Sequence, residues 1–357
     1  MKPSLIALSI YALATVCAVP AALAQDAAGN ARIQATAPSD WSMQVVSDGL
    51  DYPWDIARAG DRFLLTEKAG NIVVIENGRQ RRHALQTSDP IVDEGGAGLL
   101  GMALSRDFAQ SGVAYFYHSY RSDADLANKI IEARFDGDAW RETRVLLVGI
   151  PGHRLYNGGA IAIAPDGHLY VTTGWTGNRE RPQDRASLAG KVLRMTLSGQ
   201  APPDNPFPGS LIYSYGHRNP QGMAWNPAGE LFVVEHGESG HDEINRIRPG
   251  VNYGWPLAQG AERRDGMEPA WIESGRSTWA PAGAAFAGDE LVIAALGSRE
   301  LLAMDEGARA LKRVFSSGDR IRDVLPVARD LYVITTNRSP RGEGPSKDRL
   351  LRLSPRQ

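Results

Sequence analysis

Residues 164–174 read APDGHLYVTTG. Pro165, Asp166 and Gly167 favour a tight turn: proline fixes φ, aspartate caps the turn with its side chain, and glycine accepts positive φ. The Leu169–Thr173 run that follows is β-branched and aromatic, the composition of a strand. The phrase recurs along the chain as RFLLTE (62–67), VAYFYH (113–118), ELFVVEHG (230–237), ELVIAALG (290–297) and DLYVITT (330–336). Each copy is followed, after a loop of variable length, by a second strand-like phrase: NIVVIENG, KIIEARFDG, KVLRMTLSG, EINRIRPG, ELLAMDEG and RLLRLSP.

Six such pairs at intervals of about 40–60 residues fall in the period range of propeller blades. The 38 glycines and 22 prolines suit a turn-rich chain, and no convincing amphipathic helix of four turns is present. A six-bladed all-β propeller is therefore expected over residues 41–357, with WSMQVVSDGL (41–50) pairing with the last blade to close the ring. A pair of β-sandwiches is the competing architecture, and the regular spacing argues against it. Residues 25–40 lack periodicity and read as a flexible lead.

The first 24 residues carry Lys2, an apolar run and a small-residue Ala-Leu-Ala ending at Ala24. This is the layout of a cleaved secretory signal. The run is interrupted by Pro20 and is shorter than the roughly 20 apolar residues of a membrane span. Export to the periplasm or the medium is expected, with no membrane span in the mature chain. Cys17, the only cysteine, lies within that signal, so the mature protein is expected to have no disulfide and no thiolate metal site. With 39 basic and 41 acidic residues the net charge is −2, which gives no footprint for nucleic acid or a lipid surface.

Chemistry-bearing residues concentrate in YSYGHRNPQGMAWNPAGELFVVEHGESGHDEINRIRPGVNYGWP, residues 213–256. A fixed cation and an amide on a Gly/Pro-framed turn, Arg218 and Asn219, can grip an anionic or carbonyl-bearing ligand. Oxygen donors with exposed backbone carbonyls around them suit Ca²⁺. Taken singly, such residues more often cap turns or sit in solvent, and Trp279 would be read as core.

This segment resembles the signature region of the PQQ-dependent sugar dehydrogenases (the glucose/sorbosone dehydrogenase family, aldose sugar dehydrogenase branch). GLDYPWDIA (49–57), GLLGMALSRDFAQSGVAYFYHSY (98–120), LAGKVLRM (188–195), DNPF (204–207), STWAPAGAAF (277–286) and RIRDVLPVARDLYVIT (320–335) extend the likeness over nearly the whole mature chain. The resemblance implies pyrroloquinoline quinone (PQQ) on one face of the propeller with Ca²⁺ beside it, and oxidation of the anomeric carbon of an aldose to a lactone. The electrons would pass on to an acceptor that the sequence does not identify. It implies that Arg320 and Arg322, two apart on a strand and so on one face, hold the PQQ carboxylates. By the same resemblance Arg218 and Asn219 lie near the quinone, and Trp279 forms an aromatic wall. The carbonyls of Gly237 and Glu238 would face the cofactor Ca²⁺, and Glu243 with the Tyr253 carbonyl a further Ca²⁺.

The likeness breaks where the family places its base, a histidine two residues before a Gly-Gly pair: here LYNGG (155–159) has Tyr156, preceded by Leu155. A phenol titrating near 10 is about one part in a thousand ionised at neutral pH, a cost of about 4 kcal/mol against ready availability of the phenolate. General-base catalysis contributes 10²–10⁴-fold, so a misplaced base slows hydride transfer without abolishing it. Tyr156 is the expected occupant of the base position, with His153 as a second candidate that reads as a solvent-exposed loop residue. Two further departures are Gly96, where a Gln or Glu is usual, and Gly297, where related enzymes carry a Lys and Arg299 is a candidate replacement. A sugar-binding propeller that has lost oxidation is the alternative reading. A Ca²⁺-dependent lactonase-type hydrolase ranks third, since the sequence offers no ring of acidic and amide ligands.

Overall fold

The computed structural model describes residues 33–35, 41–305, 310–340 and 346–356. The expected signal, residues 1–24, lies outside the described residues, as does the expected lead apart from Ile33–Ala35. Those three residues instead form a short parallel strand beside Leu311–Arg313.

Among the described residues nearly every regular element is a strand, and the strands form antiparallel meanders of four. The first begins with Pro53–Ala59 and Arg62–Glu67 and continues through Asn71–Glu76 to Arg79–Gln86. The following meanders open with Leu99–Leu104, Gly158–Ile163, Pro220–Trp225, Pro281–Ala287 and Ile321–Val327. The first two groups merge into one eight-stranded sheet where Trp140 and Arg141 pair in parallel with Leu85 and Gln86. The last is completed by Trp41–Leu50, antiparallel to Asp348–Pro355, so an early strand closes the last sheet. All six recurring phrases and their partners pair as antiparallel neighbours.

The opening strands of successive groups touch one another around a closed circuit, the last against the first. Each has a register shift near its start, for example between Pro220 and Gly222 and between Pro281 and Ala284. At two of these irregularities glycine allows a close approach. A Cβ at Gly222 would lie 2.1 Å from the Ala282 carbonyl, and one at Gly101 would lie 2.4 Å from that of Gly159. The apolar core lies between neighbouring sheets, as where Tyr117, Ile161, Val171 and Val192 pack together.

In an antiparallel meander the start of the first strand and the end of the second lie at the same edge. The closed circuit therefore gathers six strand starts and six strand ends on one face. That face holds the site.

Candidate functional site

At this face lies a cavity of about 170 Å³. Its walls come from strand ends scattered through the sequence: Lys68 and Tyr156 on one side, Asn219 and His236 on another, Arg320 and Arg322 opposite. Among the described residues three cations line it and no carboxylate does. A roomier groove of about 620 Å³, bordered by Tyr170, Trp225 and Trp271, runs along the far ends of the strands and includes none of the expected residues.

Arg322 is 3 % exposed and lies with its guanidinium 3.9 Å from the Trp54 ring. Its Nε donates to the Trp54 carbonyl (3.1 Å) and its Nη1 to Gln221 Oε1 (2.7 Å), while Nη2 is buried without a partner. Burial lowers Arg322 to about 10, still a cation at neutral pH. Arg320 donates to the carbonyls of Thr336 (3.2 Å) and Leu296 (3.3 Å). The two-residue spacing thus does bring both arginines to one cavity.

Asn219 accepts the Gly158 N–H through Oδ1 (3.2 Å) and faces the cavity. Arg218 stands just behind it, 8 % exposed, with its guanidinium between the rings of Tyr156 (5.0 Å) and Trp255 (5.2 Å). It donates to the Tyr156 hydroxyl and, through Nη1, to the His236 carbonyl (3.2 Å), while its buried Nε has no partner. The turn carrying these residues is anchored below by Glu235, which accepts the Arg218 N–H (2.7 Å) and the buried His217 Nδ1 (2.8 Å).

Tyr156 lines the cavity. His153 stacks on it almost parallel, at 5.1 Å, and is half-buried rather than solvent-exposed; it is absent from the cavity wall. His153 Nδ1 already accepts the Leu155 N–H (3.0 Å), and burial, with a smaller effect from Arg154, lowers its pKa.

Trp279 departs from its expected place. It is 3 % exposed within an apolar cluster with Phe232 and Leu291, and its neighbour Ala280 reaches the cavity in its stead. Arg299 does not replace the missing lysine: it is exposed and donates to the Gly318 carbonyl (2.9 Å). The third cavity cation is Lys68, at the end of the RFLLTE strand. It is 2 % exposed, 2.7 Å from Asp93 and 2.6 Å from the Gly95 carbonyl, with Nζ 4.3 Å from the centre of the Tyr52 ring. Gly96 also lines the cavity, and a Cβ there would meet the Leu155 carbonyl at 2.9 Å, so the chain leaves no room for a longer residue.

The 237–241 turn is pinned by Asp242, whose Oδ1 accepts the Gly237 N–H (3.0 Å) and whose Oδ2 accepts those of Trp279 and Ala280 (2.6 and 2.7 Å). The Glu238 side chain points away to Arg179 (2.7 Å from both oxygens), which leaves its main-chain carbonyl as the group available to an ion. Glu243 is buried, accepting the Gly260 N–H (2.6 Å) and the Asn245 amide (2.9 Å). Burial and the neighbouring Glu235 push it up to about 8. The adjoining Asn245 Oδ1 is a buried acceptor with no donor. Surplus negative charge and an orphaned oxygen donor are what a bound cation would relieve. Among the described residues no group of three His, Cys, Asp or Glu side chains is arranged to hold a metal, so such a site relies on carbonyl oxygens. Tyr253 stacks on His217 at 4.9 Å close by.

His236 was quoted within the signature segment but given no role by sequence reasoning. Its Nε2 is enclosed and unpartnered. Burial lowers it to about 4, with Arg322 and Arg218 adding to the shift against the opposing charge of Asp242. It is a neutral imidazole at neutral pH.

An all-β ring of antiparallel meanders with a cation-lined cavity on one face defines a propeller-like class of protein. The chain belongs to the glucose/sorbosone dehydrogenase family, whose model matches residues 50–343. It is 32% identical over 358 residues to the aldose sugar dehydrogenase YliI of Escherichia coli (strain K12), covering 90% of this chain and 94% of that one. It is also 32% identical over 256 residues to quinoprotein glucose dehydrogenase B of Acinetobacter calcoaceticus, covering 62% of this chain and 53% of that one. Among solved structures, the PQQ-bound form of aldose sugar dehydrogenase from Streptomyces coelicolor superposes with a TM-score of 0.81 at 34% identity, over 89% of this chain and 99% of that one.

Proposed function

We propose that this chain is an exported quinoprotein that oxidises the anomeric carbon of aldoses to lactones, using PQQ and Ca²⁺ on the axis of a six-bladed β-propeller. The six meanders and the closed circuit of their opening strands are read as the blades. One observation carries the functional reading: among the described residues the axial cavity is walled by Lys68, Arg320 and Arg322, has no carboxylate, and includes a buried Arg322 Nη2 without a partner. Burying unpaired guanidinium N–H groups is costly unless a ligand completes them, and a planar polycarboxylate does so.

On this reading Arg320, Arg322 and Lys68 hold the carboxylates, Asn219 faces the quinone end, and Arg218 stands behind it against Tyr156. The Gly237 and Glu238 carbonyls would face one Ca²⁺, and Glu243 with the Tyr253 carbonyl another. The chemistry that PQQ and Ca²⁺ supply when bound is hydride acceptance at a carbonyl polarised by the ion. As its phenolate, beside the Arg218 cation, Tyr156 would receive the proton of the anomeric hydroxyl at its phenolic oxygen and return to the neutral phenol. Residues 1–24, as a cleaved signal, would deliver the protein to the periplasm or the medium.

The test is a titration of the purified protein with PQQ and Ca²⁺, followed by the quinone absorbance. Saturable binding and bleaching on adding an aldose are expected. Binding without bleaching would favour the second reading, a sugar-binding propeller without oxidation, which Tyr156 at the base position supports. Failure to bind PQQ would remove the quinoprotein reading altogether.

A further inference from the structure

Below the cation-lined cavity the opening strands enclose a second axial cavity of about 210 Å³, and Trp54, Gln221 and Arg322 line both. Asp55 and Asp323 both line it, and Asp323 accepts the N–H of Ile56, the residue that follows Asp55. The charge of Asp323 raises the cost of ionising Asp55 in so enclosed a place. Their hydrogen bonds come from main-chain N–H groups: Asp323 accepts those of Ile56 (3.1 Å) and Val324 (2.8 Å), and Asp55 accepts that of Met102 (3.0 Å). Gly283 makes room for them, since a Cβ at that position would fall 1.7 Å from Asp323 Oδ1.

Among the described residues Arg322 is the one other charged residue lining this lower cavity. Its two satisfied N–H groups donate to neutral acceptors, Trp54 and Gln221. The acid pair beneath it is therefore the nearest compensation for its charge, and its unpartnered Nη2 is left for a ligand.

We propose that Asp55 and Asp323 are positioning residues that set the effective charge of Arg322, so that binding of an anion in the upper cavity is coupled to proton uptake by the pair. The inference rests on the quinoprotein reading. An anion drawn to Arg322 raises the proton affinity of nearby carboxylates, so the bound state takes up protons and affinity falls as pH rises. The window follows from the surroundings of the pair. Burial, then the charge of Asp323, holds Asp55 well above the carboxylate range, and burial pushes Asp323 up to about 6 against the pull of Val324 N–H and Arg322. The other groups near Arg322 titrate elsewhere, His236 at about 4 and Tyr52 at about 12. The carboxylates of PQQ, with ordinary values near 4, are ionised throughout. Lys68 in the upper wall is lowered by burial, and its share of any slope persists when the acid pair is altered.

The experiment is calorimetric titration of PQQ, with Ca²⁺ present, into the full-length protein between pH 6 and 8. Buffers of different ionisation enthalpy report the protons taken up. Wild-type affinity should fall with pH by up to about tenfold per unit, with net proton uptake. Asp323→Asn and, separately, Asp55→Asn should flatten the slope to within about twofold and reduce uptake while still binding PQQ. At position 55 asparagine Oδ1 can still accept the Met102 N–H; at position 323, where the two oxygens accept separately from Ile56 and Val324, it keeps one of the two, and retained thermal unfolding confirms the fold. Equal slopes in wild type and both variants, or no proton uptake in wild type, would overturn the inference and leave the quinoprotein reading standing. No PQQ binding by wild type at any pH would overturn both.

Discussion

Tyr156, expected at the base position, and Lys68, the third cation of the cavity wall, each have a test at the residue scale. The Tyr156 ring lies between the parallel imidazole of His153 and the guanidinium of Arg218. Tyr156→Phe removes the hydroxyl that Arg218 contacts while keeping the ring. If that hydroxyl takes the proton, the rate of quinone bleaching by an aldose should drop by about 10²–10⁴ with PQQ affinity unchanged. An unchanged rate would assign the proton to another group. Tyr156→His should raise the neutral-pH rate above wild type and introduce an acid limb near the ordinary imidazole value of about 6.5. Lys68→Met should weaken PQQ binding by roughly tenfold to a hundredfold, the value of one charge-assisted hydrogen bond, and Lys68→Arg should recover part of it. Affinity unchanged in Lys68→Met would remove Lys68 from the binding set.

At the scale of elements, Arg322 lies on the Ile321–Val327 strand and Arg320 immediately before it, a spacing readable in the sequence, whereas the 237–241 turn depends on a long-range pin. Asp242 gathers N–H groups from Gly237, Trp279 and Ala280. Asp242→Ala would strand several of these donors at the cost of about 1–3 kcal/mol for a buried unsatisfied group. A fall of several degrees in thermal midpoint and a loss of Ca²⁺-induced stabilisation are expected, both measurable by differential scanning fluorimetry with and without added Ca²⁺. A variant that keeps its Ca²⁺ response would show that the turn holds its shape without the pin. The opening strands illustrate the opposite case. Gly222 was visible in GHRNPQG, but the Ala282 carbonyl against which it packs belongs to the next sheet, so no local pattern announces why glycine is needed.

For the whole molecule, closure joins distant parts of the chain. Trp41–Leu50 pairs with Asp348–Pro355, and Thr336, Arg322 and Asp323 hydrogen-bond the backbone of Pro53, Trp54 and Ile56. Deleting residues 41–50 removes the outer strand of the closing sheet and exposes an unpaired edge. Loss of a single cooperative thermal transition, together with protease cleavage near the C-terminus, is expected. A variant that still unfolds in one sharp transition would show that the seam of opening strands closes the ring unaided.

The sequence by itself determined the six recurring strand pairs and the pairing of residues 41–50 with the last sheet, because turn chemistry and strand composition act over a few residues. The two-residue spacing likewise placed Arg320 and Arg322 on one face. Only the tertiary structure decided that Lys68 supplies the third cavity cation, that Trp279 belongs to the core, that His236 is an enclosed neutral imidazole, and that Asp55 lies against Asp323. These positions come from different sheets, and the circuit of opening strands brings their ends together. Burial, which sets the charge of such groups, exists only after the ring has closed.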